Sequence, residues 1–233
     1  MDPKIPTMEH RFFTPSEQLT GTQGSARGSG SVNQNYRGDP SLAVNRGEGV
    51  PAEKNTCLWI TGLPAKITIP ELLAAIGKPG KVRSTVINGP AGDIASSAAS
   101  ISFFRRSDAE NLLNAFQQGR IILGGKFPRV QWNRNRVRDD EGVHSESSRV
   151  LMIAGDPEVV NREYLDGFFT KKFVYEIDQI VDHGEVEGDD GPIHRMEYRF
   201  GSWRAQAEFA RKALTLELKG FLLAEYGPDP CAP

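Results

Sequence analysis

The side chains with the most chemistry to offer in this sequence are an aromatic ring, several arginines and a few amides at strand-like spacing. Trp59 lies in the alternating run Cys57-Leu58-Trp59-Ile60-Thr61, and Arg129, Gln131 and Asn133 alternate with Val130 and Trp132. In a strand, residues i and i+2 share a face. If Val130 and Trp132 face a core, then Arg129, Gln131 and Asn133 share the opposite face, and Arg134, Arg136 and Arg138 follow on the strand exit. Arg83 sits in another alternating run, and Arg105-Arg106 follow a third. An exposed ring can stack a nucleobase, a contact that contributes about 1–3 kcal/mol per base. Guanidinium groups neutralise phosphates, and amides hydrogen-bond base edges. This is the chemistry of binding.

Catalytic and metal-binding patterns are missing. His10, His144, His183 and His194 have no partner at metal-ligand spacing, and Cys57 and Cys231 form no CxxC pair, so no metal is expected. Asp182 to Asp190 is acidic but lacks the alternating ligands and terminal Glu of a calcium loop. Gly77-Lys-Pro-Gly-Lys81 is not GxxxxGK[ST], and no GxSxG elbow occurs. The expectation is a protein with no cofactor that is not an enzyme. No apolar run reaches about 18 residues, and the N-terminus lacks a signal-peptide core. An intracellular protein of nucleus or cytoplasm, with reduced thiols and no membrane segment, follows as the expectation.

Charge is split along the chain. The net value over 233 residues is −2. Residues 54–138 hold 13 basic and 4 acidic side chains, net +9, whereas residues 139–233 hold 10 basic and 20 acidic, net −10. A basic block joined to an acidic one is a functional signal that the average conceals. Phosphate is the natural partner of the first block. The acidic block repels phosphate and is expected to contact a protein or the first block. Residues 14–53 contain seven glycines, few large apolar side chains and three Arg-Gly pairs, and are expected to be disordered.

The elements that must position these residues follow from period and punctuation. Cys57–Thr61 reads as a strand stopped by Gly62-Leu63-Pro64. Thr68 and Glu71 form a capping-box pattern before Leu72, Leu73 and Ile76, and Gly77 ends that helix. Strands over 81–87 and 98–104 come next. Ser107 then caps a helix bearing Ala109, Leu112, Leu113 and Phe116, and a strand over 127–133 closes the unit. The acidic block repeats the order. A strand from Arg149 precedes a helix with Tyr164, Leu165, Phe168 and Phe169, and strands fall within 173–186 and 196–200. A helix capped by Ser202 and a strand over 221–226 complete it. The fold class is α+β, two tandem ferredoxin-like βαββαβ domains after a disordered tail. The expected boundaries are 1–53 tail, 54–138 basic domain, 139–148 acidic linker, 149–228 acidic domain and 229–233 tail.

Leu58-Trp59-Ile60-Thr61-Gly62-Leu63 resembles the hexamer motif of the RNA recognition motif (RRM), with Trp59 at its aromatic position. SSAASISF over 96–103 falls where the octamer K/R-G-F/Y-G/A-F-V-x-F/Y belongs. Ala99, Ile101 and Phe103 fit its core positions, but Ala98 and Ser100 replace both stacking aromatics and Ser96 the basic residue. In the second block Met152 takes the hexamer aromatic slot, and Arg195 and Glu197 take the octamer slots. The strings NTCLWITGLP, AASISFF, WNRNRV, SRVLMIAGDPEVVNREYL and EYRFGSWRAQAEFA are similar to RRM-containing proteins of filamentous fungi, over about residues 50–231. That resemblance implies RNA binding. The candidate contacts are Trp59, Thr61, Arg83, Ser100, Arg129, Gln131, Asn133, Arg134 and Arg136, with single-stranded RNA as partner. The rival expectation is a protein-interaction scaffold built on RRM folds that no longer bind RNA.

Overall fold

Strand alternation and helix period translate directly into the elements of the computed structural model, which describes residues 49–189 and 191–233. In the first module these are β1 (Cys57–Leu63), α1 (Ile69–Ile76), β2 (Val82–Asn88), β3 (Ser97–Phe103), α2 (Arg106–Gln117) and β4 (Arg129–Trp132). The second module holds β5 (Val150–Gly155), α3 (Arg162–Thr170), β6 (Ile177–Gly188), β7 (Gly191–Phe200), α4 (Glu208–Glu217) and β8 (Leu222–Tyr226). Each module is a four-stranded antiparallel sheet, ordered β2-β3-β1-β4 and β6-β7-β5-β8. These are the two ferredoxin-like βαββαβ folds expected. The expected disordered tail and its Arg-Gly pairs lie outside the described residues, except for 49–53.

Helix α1 begins as its sequence dictates. The Thr68 hydroxyl accepts from the Glu71 amide, Glu71 accepts from the Thr68 amide, and Pro70 occupies the first turn. Such a cap contributes about 1 kcal/mol. Leu72, Leu73 and Ile76 are buried against Leu58, Ile60, Ala99, Ile101 and Phe103 of the sheet. Each fully buried Leu or Ile stabilises by about 1.5–3 kcal/mol. The second core is aromatic: Phe169 lies 5.5 Å, centroid to centroid, from Tyr198 and 5.8 Å from Phe200. The Tyr198 hydroxyl donates to Asp166 at 3.0 Å, so its buried polar end is satisfied.

Three local features depart from the sequence reading. Helix α2 starts at Arg106 rather than behind a Ser107 cap, and its first amide is taken by Asp139, 33 residues away. Before α4, Trp203–Ala207 forms a π-helical turn after Ser202. Strand β6 begins at Ile177, because Phe173 and Tyr175 turn into the second core.

Both sheets fall within one compact unit, and the contacts that join them are backbone as well as side chain. Edge strand β2 is covered: the Thr85 amide donates to the Gly201 carbonyl at 2.8 Å, and Ser84 bridges Ser202. A Cβ at Gly201 would lie 2.9 Å from the terminal methyl of Ile69, which would have to shift to admit it. Residues 229–231, expected as a tail beyond the second domain, return instead to the first. The Gly80 amide donates to the Cys231 carbonyl, and Cys231 is buried in the first core. Asp229 accepts from the Val82 amide at 2.8 Å and from Arg149 at 2.9 Å. Arg149 is fully buried and also donates to Asp178 at 2.9 Å and to the Phe200 carbonyl. Burial alone would depress its pKa, but Asp229, with Asp178, more than reverses this and keeps the guanidinium charged.

Candidate nucleic-acid interface

The first sheet packs Leu58, Ile60, Ala99, Ile101, Val130 and Trp132 against its helices, so alternation sends Trp59, Thr61, Ala98, Ser100, Arg129 and Gln131 to the open face. Registration then fixes rows across that face. Trp59 pairs with Ser100 on one side and Gln131 on the other, and Ser100 pairs with Val86. The next row is Thr61 with Ala98 and Arg129. Trp59 is half-buried and belongs to neither core. Among the described residues its ring stacks on no aromatic or cationic group. Arg129 and Gln131 are exposed, and their side chains have no hydrogen-bond partner among the described residues.

Beside this row the polar groups are committed to each other. The Ser100 hydroxyl lies 3.2 Å from the Cys57 sulfur and accepts from the Asn133 amide at 3.0 Å. Where an aromatic would give a second stacking surface, Ser100 anchors Asn133 instead. Cys57 is sealed beneath this network, and burial pushes its thiol up to about 11 against the hydrogen bonds to Ser100 and Asn133. Burial, then Asp229, does the same to Cys231, also to about 11. Neither thiol is a nucleophile at neutral pH. Native protein should therefore react with a disulfide reagent at neither cysteine, whereas in denaturant both should be titrated.

Arg83 requires a correction. A bulge between Val82 and Ser84 breaks the register there, and its guanidinium lies 5.4 Å from the Trp203 ring and 5.9 Å from Phe104. It also donates to the Arg138 carbonyl at 3.2 Å. Arg83 thus belongs to the junction of the modules and leaves the candidate set. Arg136 and Arg138 donate to the carbonyls of Val50 and Gly49, so 49–53 is fastened and not part of a loose tail. Arg134 is exposed and without a hydrogen-bond partner among the described residues.

Pattern reading missed Arg106. Its guanidinium stacks 3.5 Å from the centroid of Trp132 and donates to the carbonyls of Ala52 and Asn55. With Arg134, Arg136 and Asn133 it lines an open notch of about 480 Å³ past the end of β4. The Arg105-Arg106 pair was the only trace of it in the sequence.

The second open face carries different groups. Met152 pairs with Glu197 and Glu225, and Ala154 with Arg195 and Leu223. Burial works to raise the Glu197 pKa, but bonds from Arg199 at 2.6 Å and His183 at 3.1 Å outweigh it and hold the carboxylate ionised. No aromatic side chain occupies the stacking slots of this face.

No family model matches the chain, and no curated protein matches it. Among solved structures, a Sxl-lethal protein/RNA complex aligns with 74% of this chain and 99% of its own, at 19% identity and a TM-score of 0.30. The first two RRM domains of the yeast poly(U)-binding protein align over 74% and 99%, at 17% identity and a TM-score of 0.31. RNA recognition domains 1 and 2 of Sex-lethal from Drosophila melanogaster align over 74% and 100%, at 20% identity and a TM-score of 0.29. Likeness at this distance leaves function to the site itself. Among the described residues no helix is long and apolar enough to cross a membrane, and no cluster of three or more His, Cys, Asp or Glu could hold a metal ion.

Proposed function

We propose that this is a non-catalytic RNA-binding protein whose first module holds single-stranded RNA weakly on its open sheet face. One observation carries the reading: Trp59 lies on that face in register with Gln131 and one row from Arg129, and among the described residues its ring is unstacked and the Gln131 amide unpartnered. A base stacks on Trp59. Gln131 and Thr61 lie within the same two rows to hydrogen-bond its edge, and Arg129 and Arg134 neutralise flanking phosphates. With Ala98 and Ser100 in place of aromatics, stacking rests on a single ring, so affinity depends mainly on charge. Roughly 2–6 kcal/mol of stacking available to a complete platform is forgone.

Fluorescence anisotropy of the full chain with unstructured RNA, across a salt series, tests this. Affinity should fall with salt, with a log–log slope of about −0.7 per phosphate neutralised. Trp59→Ala should weaken binding by about 1–3 kcal/mol and leave the slope unchanged, whereas Arg129→Ala should flatten it. Absence of binding at low salt would sink the reading.

A further inference from the structure

Past the end of β4 the first module carries a second arrangement suited to a nucleotide. Trp132 turns to the helix side of the sheet, opposite in sense to Gln131, and packs against the first core. The Arg106 guanidinium lies over its ring, 3.5 Å from the centroid. Three hydrogen bonds hold it there. Nε donates to Glu110 at 2.8 Å, and Nη1 donates to the carbonyls of Ala52 at 2.7 Å and Asn55 at 2.8 Å. Guanidinium donors lie in the plane of the group, so these bonds fix its tilt over the indole without using its outer face. Nη2 has no hydrogen-bond partner among the described residues.

The notch of about 480 Å³ is lined by three guanidinium groups, those of Arg106, Arg134 and Arg136. Arg136 is held through Nη1 alone, by the Val50 carbonyl, and Arg134 by no hydrogen bond among the described residues. One carboxylate, Glu53, shares the lining. It has no partner among the described residues, and it does not balance three cations. An excess of guanidinium donors suits a phosphate, and an arginine plane stacks a base as an aromatic ring does. We propose that the notch holds one nucleotide of an RNA strand, its phosphate on Arg134 and Arg136 and its base on the outer face of Arg106, backed by Trp132. This rests on the RNA-binding reading and extends it. Strand β4 is the outer strand of its sheet. A strand of RNA lying over Trp59 and Gln131 passes Arg134 and rounds that edge into the notch. Arg106 and Trp132 then supply a second stacking surface, on the far side of β4, in place of the aromatics missing at Ala98 and Ser100.

Titration of the full chain with single-stranded RNA tests it, read by anisotropy and by the indole N–H resonance of Trp132, which Trp132→Phe identifies. An oligonucleotide of about eight nucleotides should shift that resonance. Arg106→Lys should weaken binding about tenfold with the salt slope unchanged, because the charge stays and the plane is lost. Arg136→Gln should weaken binding about threefold and flatten the slope by about 0.7. Glu53→Gln removes only the opposing carboxylate and should tighten binding about threefold. An unchanged melting temperature verifies that each variant folds. RNA binding that needs Trp59 but leaves the Trp132 resonance unmoved, with Arg136→Gln and Glu53→Gln at parent affinity, overturns the notch and spares the sheet-face reading. Absence of RNA binding by the parent chain overturns both. A nucleoside monophosphate that saturates the Trp132 shift at the same concentration as the oligonucleotide also overturns the inference, since the notch would then serve free nucleotides and not a strand.

Discussion

Replacing Asp229 with alanine should lower the stability of the whole chain by about 3–5 kcal/mol. Its carboxylate, fully buried, accepts from Arg149 Nη2 at 2.9 Å and Nε at 3.2 Å, from the Val82 amide at 2.8 Å and from the Cys231 amide at 3.0 Å. Removing it leaves a charged guanidinium with Asp178, the Phe200 carbonyl and the Cys231 sulfur, and leaves two backbone amides unpaired. An uncompensated buried charge is costly, whereas replacing both partners with apolar groups is often tolerated. The Arg149→Met, Asp229→Leu double variant should therefore be more stable than Asp229→Ala alone. Urea denaturation followed by circular dichroism measures both. An Asp229→Ala chain within 1 kcal/mol of the parent would show that the C-terminal return contributes little.

Trp203→Ala should be nearly as damaging, at about 3–5 kcal/mol. The side chain is 3% exposed and comes from the second module. Its ring centroid lies 5.3 Å from that of Phe104 in the first and 4.8 Å from that of His144 in the connection. Its indole N–H donates to the Tyr226 hydroxyl at 3.1 Å. Truncation opens a cavity between the modules and leaves Arg83 over Phe104 alone. Scanning calorimetry should show one cooperative transition in the parent and two in Trp203→Ala. A single unshifted transition in the variant would place the coupling elsewhere. A fragment ending at 138 lacks Cys231, Gly201 and Trp203, so binding measurements belong on the full chain.

Much of the fold was legible because its signals are local. The Thr68 and Glu71 capping box, the stop at Gly77 and the alternation of Ile101 and Phe103 with Ser100 each depend on a few consecutive residues. The start of α2 was not legible, since the group capping it is Asp139, brought close only by the chain after β4. Period alone puts Trp59, Arg129 and Gln131 on one face of the sheet, and the register agrees. Arg83 is different, because a bulge undoes the period that placed it. Arg106 was missed because its stacking on Trp132 joins a helix start to a strand 26 positions later.

The sequence by itself therefore determined which residues share a strand face and how charge divides between the two blocks. Backbone geometry makes the first a two-residue repeat, and the second is composition. Which of those residues stay available was decided by tertiary structure. Ser100 and Asn133 hold each other, Arg83 lies against Trp203, and Val82 is bonded to Asp229, 147 positions away. Contacts of that range leave no periodic trace, because they arise only after both sheets have formed and bring distant chain segments within hydrogen-bond distance.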